Sequence, residues 1–127
     1  MIVAKNHGGL CKQMDEYAAG RALSIAHHET LSLDTNEFAN YSLHQGYVLD
    51  RVFGLNTHRL SGIELRQLFG WRVLPTAQRL AARWPYWPLA DNRIIIEPHL
   101  DYWPDMFAVS PRAYLRGYWQ SERYFQM

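Results

Sequence analysis

The first residues in this chain whose types and spacing suit chemistry are Gly8-Gly9-Leu10-Cys11-Lys12-Gln13, directly after a short apolar run, Met1 to Ala4. A glycine pair feeding a helix lets backbone approach a ligand closely. The helix's first amides then turn free N–H groups and a partial positive charge toward it, which suits an anion. The run matches neither a Walker loop nor the Gly-x-Gly-x-x-Gly fingerprint, so an ordinary strand-to-helix turn is the competing reading. A second cluster of interest is His99 with Asp101 and Glu97, three titratable side chains close enough in sequence for acid/base work, against the plainer reading of solvated loop residues. Among the five tryptophans, Trp87, Trp103 and Trp119 lie beside turn signals, where an indole serves either as a sugar-stacking face or as core. Cys11, beside Lys12 at a helix start, is a candidate reactive thiol, with an incidental replacement as the alternative.

Those residues need elements to hold them. Met1 to Lys5 reads as a strand, and Leu10 to His27 as a helix with Leu10, Met14, Tyr17, Ala18, Ala22 and Ile25 on its buried stripe. Thr30 to Asp34 alternates as a second strand, completing a β-α-β unit. Gly20 inside the helix marks close packing on the sheet. Asp34-Thr35-Asn36-Glu37 and Ser61-Gly62-Ile63-Glu64 carry capping-box spacing, the second ahead of a helix that Gly70 ends, and Pro75 starts another helix running to Trp84. Trp84-Pro85-Tyr86-Trp87-Pro88 breaks any helix. Ile94-Ile95-Ile96 reads as a buried parallel strand and Tyr114 to Tyr118 as another, with Trp119 to Phe125 turning helical. The alternation predicts one α/β domain over residues 1–127, Rossmann-like and layered, with a mainly parallel sheet. In such sheets ligands gather at the carboxyl ends of the strands, which places the Gly8 turn, Glu97 to His99, and Trp119 to Ser121 along one edge.

Several classes are excluded by composition. Thirteen basic and 12 acidic residues give a formal net charge of +1, scattered along the chain, with no nucleic-acid stripe and no polybasic membrane patch. The longest apolar stretches fall short of the roughly 20 residues that cross a bilayer. A single cysteine allows no intrachain disulfide, which fits a reducing compartment. The six histidines show no metal-ligand spacing, so no metal is expected.

Three blocks together resemble a known family. Gly8, Gly9, Leu10, Gln13, Met14, Tyr17, Ala18, Gly20, Arg21, Ala22 and Leu23 match the Gly-Gly-Leu-Gly-Asn-Gln-Met-Phe-Gln-Tyr-Ala to Gly-Arg-Ala-Leu run of the bacterial α-1,2-fucosyltransferases. Tyr47-Val48-Leu49-Asp50-Arg51-Val52-Phe53 is similar to the family's Tyr-x-Leu-Asp-x-Phe segment with one extra residue. Tyr114-Leu115-Arg116-Gly117-Tyr118-Trp119-Gln120-Ser121-Glu122-Arg123-Tyr124-Phe125 is similar to the family's third block, Tyr-Leu-x-Gly-Tyr-Trp-Gln-Ser-Glu-x-Tyr-Phe, almost throughout.

The resemblance implies the amino-terminal, acceptor-side half of a GT-B enzyme that transfers fucose from GDP-fucose to a galactosyl hydroxyl with inversion and without a metal. In that frame Gly8, Gly9, Lys12 and the Gln13 amide would meet the donor, and His99, Asp101 and Trp119 would lie on the acceptor side. The partners implied are a nucleotide sugar and a glycan, not nucleic acid, with self-association through an uncovered domain face. The location implied is the cytoplasm, at the membrane periphery. The family's His-x-Arg-Arg-x-Asp donor signature does not occur among these residues, so a truncated chain, inactive alone, is expected. A relic or binding module that recognises a glycan or a partner protein is the alternative. The chain also departs from the pattern at four positions: Cys11 for Gly, Lys12 for Asn, Asp15 for Phe and Glu16 for Gln. A Cβ at position 11 strains the turn if it needs a positive φ, and Asp15 and Glu16 in a first helical turn would repel a diphosphate.

Overall fold

The computed structural model describes residues 1–40, 47–83, 93–97, 101–108 and 111–124. Strands β1 (Ile2–Lys5), β2 (Leu31–Asp34), β3 (Ile94–Ile96) and β4 (Ala113–Arg116) form one sheet in the order β2-β1-β4-β3, every pairing parallel. The expected α/β, Rossmann-like layered domain is therefore what the chain forms. Helix α1 (Leu10–Ala26) makes the crossover from β1 to β2. Helices α2 (Leu49–Phe53), α3 (Gly62–Phe69) and α4 (Pro75–Arg83) lie in the stretch between β2 and β3.

The central strands β1 and β4 are apolar because both of their faces are covered. Ile2, Ala113 and Leu115 join Ala19 and Leu23 of α1 with Met106, Trp119 and Tyr124 in one core. Val3 and Tyr114 point the other way, onto Leu60, Leu65, Phe69 and Val73. The single-residue alternation between these two cores is the period of a strand. β3 was expected to be buried. It is half-buried, because among the described residues it sits at the sheet edge and pairs only with β4. The opposite edge is sheltered: Leu33 of β2 donates to His58 O and accepts from Leu60 N, while Ser32 Oγ meets His58 Nδ1 at 2.9 Å.

The capping-box reading of α3 holds in full, with Ser61 Oγ accepting from Glu64 N and Glu64 Oε1 accepting from Ser61 N. The turn after β2 is a 3-10 segment, Asn36–Asn40, led by Asp34 Oδ1 accepting from Asn36 N. After β4 the expected helix is only a short 3-10 turn, Glu122–Tyr124. The Trp84 to Pro88 breaker lies outside the described residues. Gly20 packs as expected: a Cβ there would come 2.9 Å from the Ala4 Cβ and 3.0 Å from Leu31 Cδ1.

The stripe expected on α1 needs correction. Its buried face is Gln13, Glu16, Ala19, Gly20, Ala22, Leu23 and Ser24, whereas Met14 and Ile25 are 41% and 43% exposed and Arg21 is exposed too. The helix is rotated from the setting that hydrophobicity alone selects, because two polar side chains on its first half are held by the loops beneath it.

Candidate functional site

The carboxyl edge of the sheet gathers the three sequence blocks into one place. From β1 the chain enters Asn6 to Gly9, with Gly8 at φ +78°. A Cβ at Gly8 would also come 2.7 Å from the Lys12 Cδ, a contact the flexible lysine can relieve, so it is the positive φ that calls for glycine. Gly9 is extended and precedes the first residue of α1. Cys11 lies inside the helix, exposed and without a positive φ, so the strain expected from its Cβ does not arise.

Gln13 ties the first block to the second. Its side chain is fully buried, with Nε2 donating to Gly8 O at 3.0 Å and Oε1 accepting from Val48 N at 3.2 Å. Its own backbone N–H closes the first helical hydrogen bond, onto Gly9 O, and is not free for a ligand. That corrects the donor role expected of the Gln13 amide: the amides left without an intrahelical partner are those of Leu10, Cys11 and Lys12. The second block is braced in turn by Asp50 Oδ1, which accepts from Tyr47 Oη and from Thr57 Oγ1, both at 2.8 Å. Burial, with Asp50 alongside, pushes the Tyr47 phenol up to about 12.

The third block arrives from β4. Gly117 passes so close to Glu97 that a Cβ would come 2.5 Å from the Glu97 Cβ. Glu97, one residue beyond β3, accepts Tyr118 N on Oε1 at 3.0 Å and Trp119 N on Oε2 at 3.1 Å. Those two bonds hold Trp119 at φ +51°, a conformation costly for a bulky side chain, at about 1–3 kcal/mol. Strain of this kind persists where the surroundings over-determine it. The Tyr118 ring then faces the first block, with Lys12 Nζ 4.7 Å from its centroid and the His7 ring 5.2 Å away.

Beneath the turn lie the buried polar groups. Glu16 is fully buried; Oε1 accepts from His7 N at 3.0 Å, and Oε2 lies 2.5 Å from His7 Nδ1. Burial raises the Glu16 carboxyl to about 7, opposed by His7. Lys5 Nζ pairs with Glu37 at 3.0 Å; burial pushes Glu37 up, but the Lys5 ammonium outweighs it and leaves that carboxyl lowered. Asn6 is fully buried with neither side-chain polar atom bonded. The tyrosine hydroxyl of Tyr114 donates to Asp34 Oδ2 at 2.5 Å.

The expected site residues therefore separate. Gly8, Gly9 and Lys12 stand at the edge beside Tyr118. Asp15 and Glu16 fall in the second turn of α1, and its first turn carries no acid, so the expected repulsion of a diphosphate there is corrected. Trp119 is corrected as well. Its indole is 1% exposed and packs edge-on to Tyr124 at 5.4 Å, leaving no face for a sugar. Glu97 has both oxygens committed to backbone amides, so it is not a free base beside Asp101, which is exposed. His99 and Trp87 lie outside the described residues, and Trp103 is half-buried against the core. The sequence reading passed over His7 and Tyr118. No local signal marked the pair, because Glu16 turns inward only in the setting of α1 that hydrophobicity does not select. Among the described residues no three His, Cys, Asp or Glu side chains converge as a metal site, and no helix is long and apolar enough to cross a membrane.

The fold and this edge define a Rossmann-like α/β domain with loop-borne polar groups where such sheets take ligands. Over 125 residues, 98% of its length, the chain is 32% identical to an alpha-1,2-colitosyltransferase of Escherichia coli. It spans 41% of that protein. No family model and no solved structure matches it.

Proposed function

We propose that the chain is the amino-terminal, acceptor-side part of an α-1,2-glycosyltransferase. It would move a fucose-like deoxyhexose from a guanosine diphosphate donor to a galactosyl hydroxyl, with inversion and without a metal. One observation carries the reading: the blocks at Gly8, Tyr47 and Tyr114, far apart in sequence, are cross-linked at one sheet edge, and the similarity to the colitosyltransferase runs through all of them. Colitose is fucose lacking one ring hydroxyl, so a site for either sugar shares most of its contacts. Lys12 is the ammonium that meets the departing diphosphate, steered there by its place over the Tyr118 ring. The unpaired first amides of α1 add partial positive charge on the same side.

The test replaces the matching part of the colitosyltransferase with this chain and measures transfer to lactose from GDP-fucose and from GDP-colitose. Transfer from either donor is the expected result. A folded chimera that binds lactose and transfers neither sugar would leave a glycan-binding module in place of a transferase.

A further inference from the structure

We propose that His7 accepts the proton of the hydroxyl that is glycosylated and that Glu16 positions it for that role. The inference rests on the transferase reading above and adds to it the residues that move the proton.

His7 stands two residues beyond β1, at the edge where ligands collect, with 22% of its side chain exposed. One buried carboxylate accepts its backbone N–H on Oε1 and sets Oε2 2.5 Å from Nδ1, an ion-pair contact by distance that is not aligned as a hydrogen bond, while the Tyr118 ring stands 5.2 Å from the imidazole. Nε2 is the nitrogen that Glu16 leaves unengaged. A histidine set beside a carboxylate at one ring nitrogen, with the other left for the reacting hydroxyl, is the arrangement that acid/base and nucleophilic catalysis share.

A purely structural latch does not account for Glu16. The pattern that this chain resembles has Gln at that position, and a glutamine oxygen accepts the His7 N–H equally well without burying a charge. What the carboxylate adds is negative charge opposite Nδ1, useful where the ring must become a cation. Burial makes that charge costly, as the rise of the Glu16 carboxyl to about 7 records. Other charged groups around the pair are Glu37, which acts on both of its members, the Lys5 paired to Glu37, Arg116 at the end of β4, and Lys12 across the Tyr118 ring.

The step balances as follows. The acceptor hydroxyl oxygen forms a bond to the anomeric carbon of the nucleotide-bound sugar as that carbon's bond to the diphosphate oxygen breaks. The electron pair of the broken bond leaves with the nucleoside diphosphate. The hydroxyl proton passes to His7 Nε2, and the resulting imidazolium is held against the Glu16 carboxylate.

The chimera described above tests this with His7→Asn and Glu16→Gln. His7→Asn is expected to lower kcat by about 100-fold or more with KM for lactose within about threefold. Glu16→Gln, which keeps an acceptor for the His7 N–H, is expected to lower kcat about tenfold with KM for lactose within about threefold, since the imidazolium loses its counter-charge. In the chain alone, lactose should slow ethoxycarbonylation of His7 by diethyl pyrocarbonate, read by peptide mass. A folded His7→Asn chimera that keeps kcat within about threefold overturns the inference and leaves the transferase reading standing. An unchanged kcat in Glu16→Gln, or no protection by lactose, also overturns it. A wild-type chimera that transfers nothing removes both.

Discussion

The two halves of α1 lie on the same sheet and do different work. The second half buries Ala19 and Leu23 against Ile2, Ala113 and Leu115, a close apolar seam beside which Gly20 packs on Ala4 and Leu31. The first half buries Gln13 and Glu16, which make hydrogen bonds to the loops. Burying polar groups costs free energy that their hydrogen bonds only offset. One end of the helix thus anchors the fold, and the other sets the positions of two loops at the sheet edge, the His7–Gly8 turn and the segment at Val48.

Variants at four positions test that division. Leu23→Ala, in the apolar seam, should destabilise the chain most, by about 2–5 kcal/mol in urea unfolding. A loss under about 1 kcal/mol would mean that the seam is not the anchor. Glu16 should give the largest pH effect. Its carboxyl is raised from 4.5 to about 7, so it holds its proton more tightly folded than unfolded. Its contribution to stability is full below about pH 4.5 and is lost as pH rises through about 7, by up to about 3 kcal/mol. Unfolding midpoints at about pH 5 and about pH 8 should show that decline in the natural chain and not in Glu16→Gln; an equal decline in both would assign it to another group. Gln13→Ala leaves Gly8 O and Val48 N–H unpaired and should cost about 1–3 kcal/mol, with faster hydrogen exchange at Val48. Exchange at Val48 as slow as before would show that the second loop is held by other means. Met14→Gln, on the outer face, should change stability by no more than about 0.5 kcal/mol, and a larger loss would restore the face that hydrophobicity selects.

The sequence disclosed the parallel sheet through Ile2-Val3-Ala4 and Ile94-Ile95-Ile96, and α3 through Ser61 and Glu64, because apolar runs and capping pairs are local signals. Gly20 was legible for the same reason. The setting of α1 was not, since Met14 and Ile25 are as apolar as Leu23 and the bonds from Gln13 to Gly8 and Val48 and from Glu16 to His7 go with the face that turns inward. The same limit applied at the site. The roles of Glu97 and Trp119 depend on a strand pairing that brings residue 97 beside residues 118 and 119, and that distance in sequence carries no periodicity. His7 was hidden because its partner is on a neighbouring element, where no short motif reaches.

The attachment of the Tyr118 turn to Glu97 carries one further consequence. Glu97 follows β3, a three-residue edge strand with a single neighbour, the kind of element that opens most readily in the native state. Whenever β3 detaches, the carboxylate that pins Tyr118 N and Trp119 N departs with it, and Trp119 is free to relax from its left-handed conformation. Occupancy of the edge and closure of β3 are therefore linked equilibria: a ligand resting on Tyr118 would slow deuterium uptake at Ile95 and Ile96, residues it never touches.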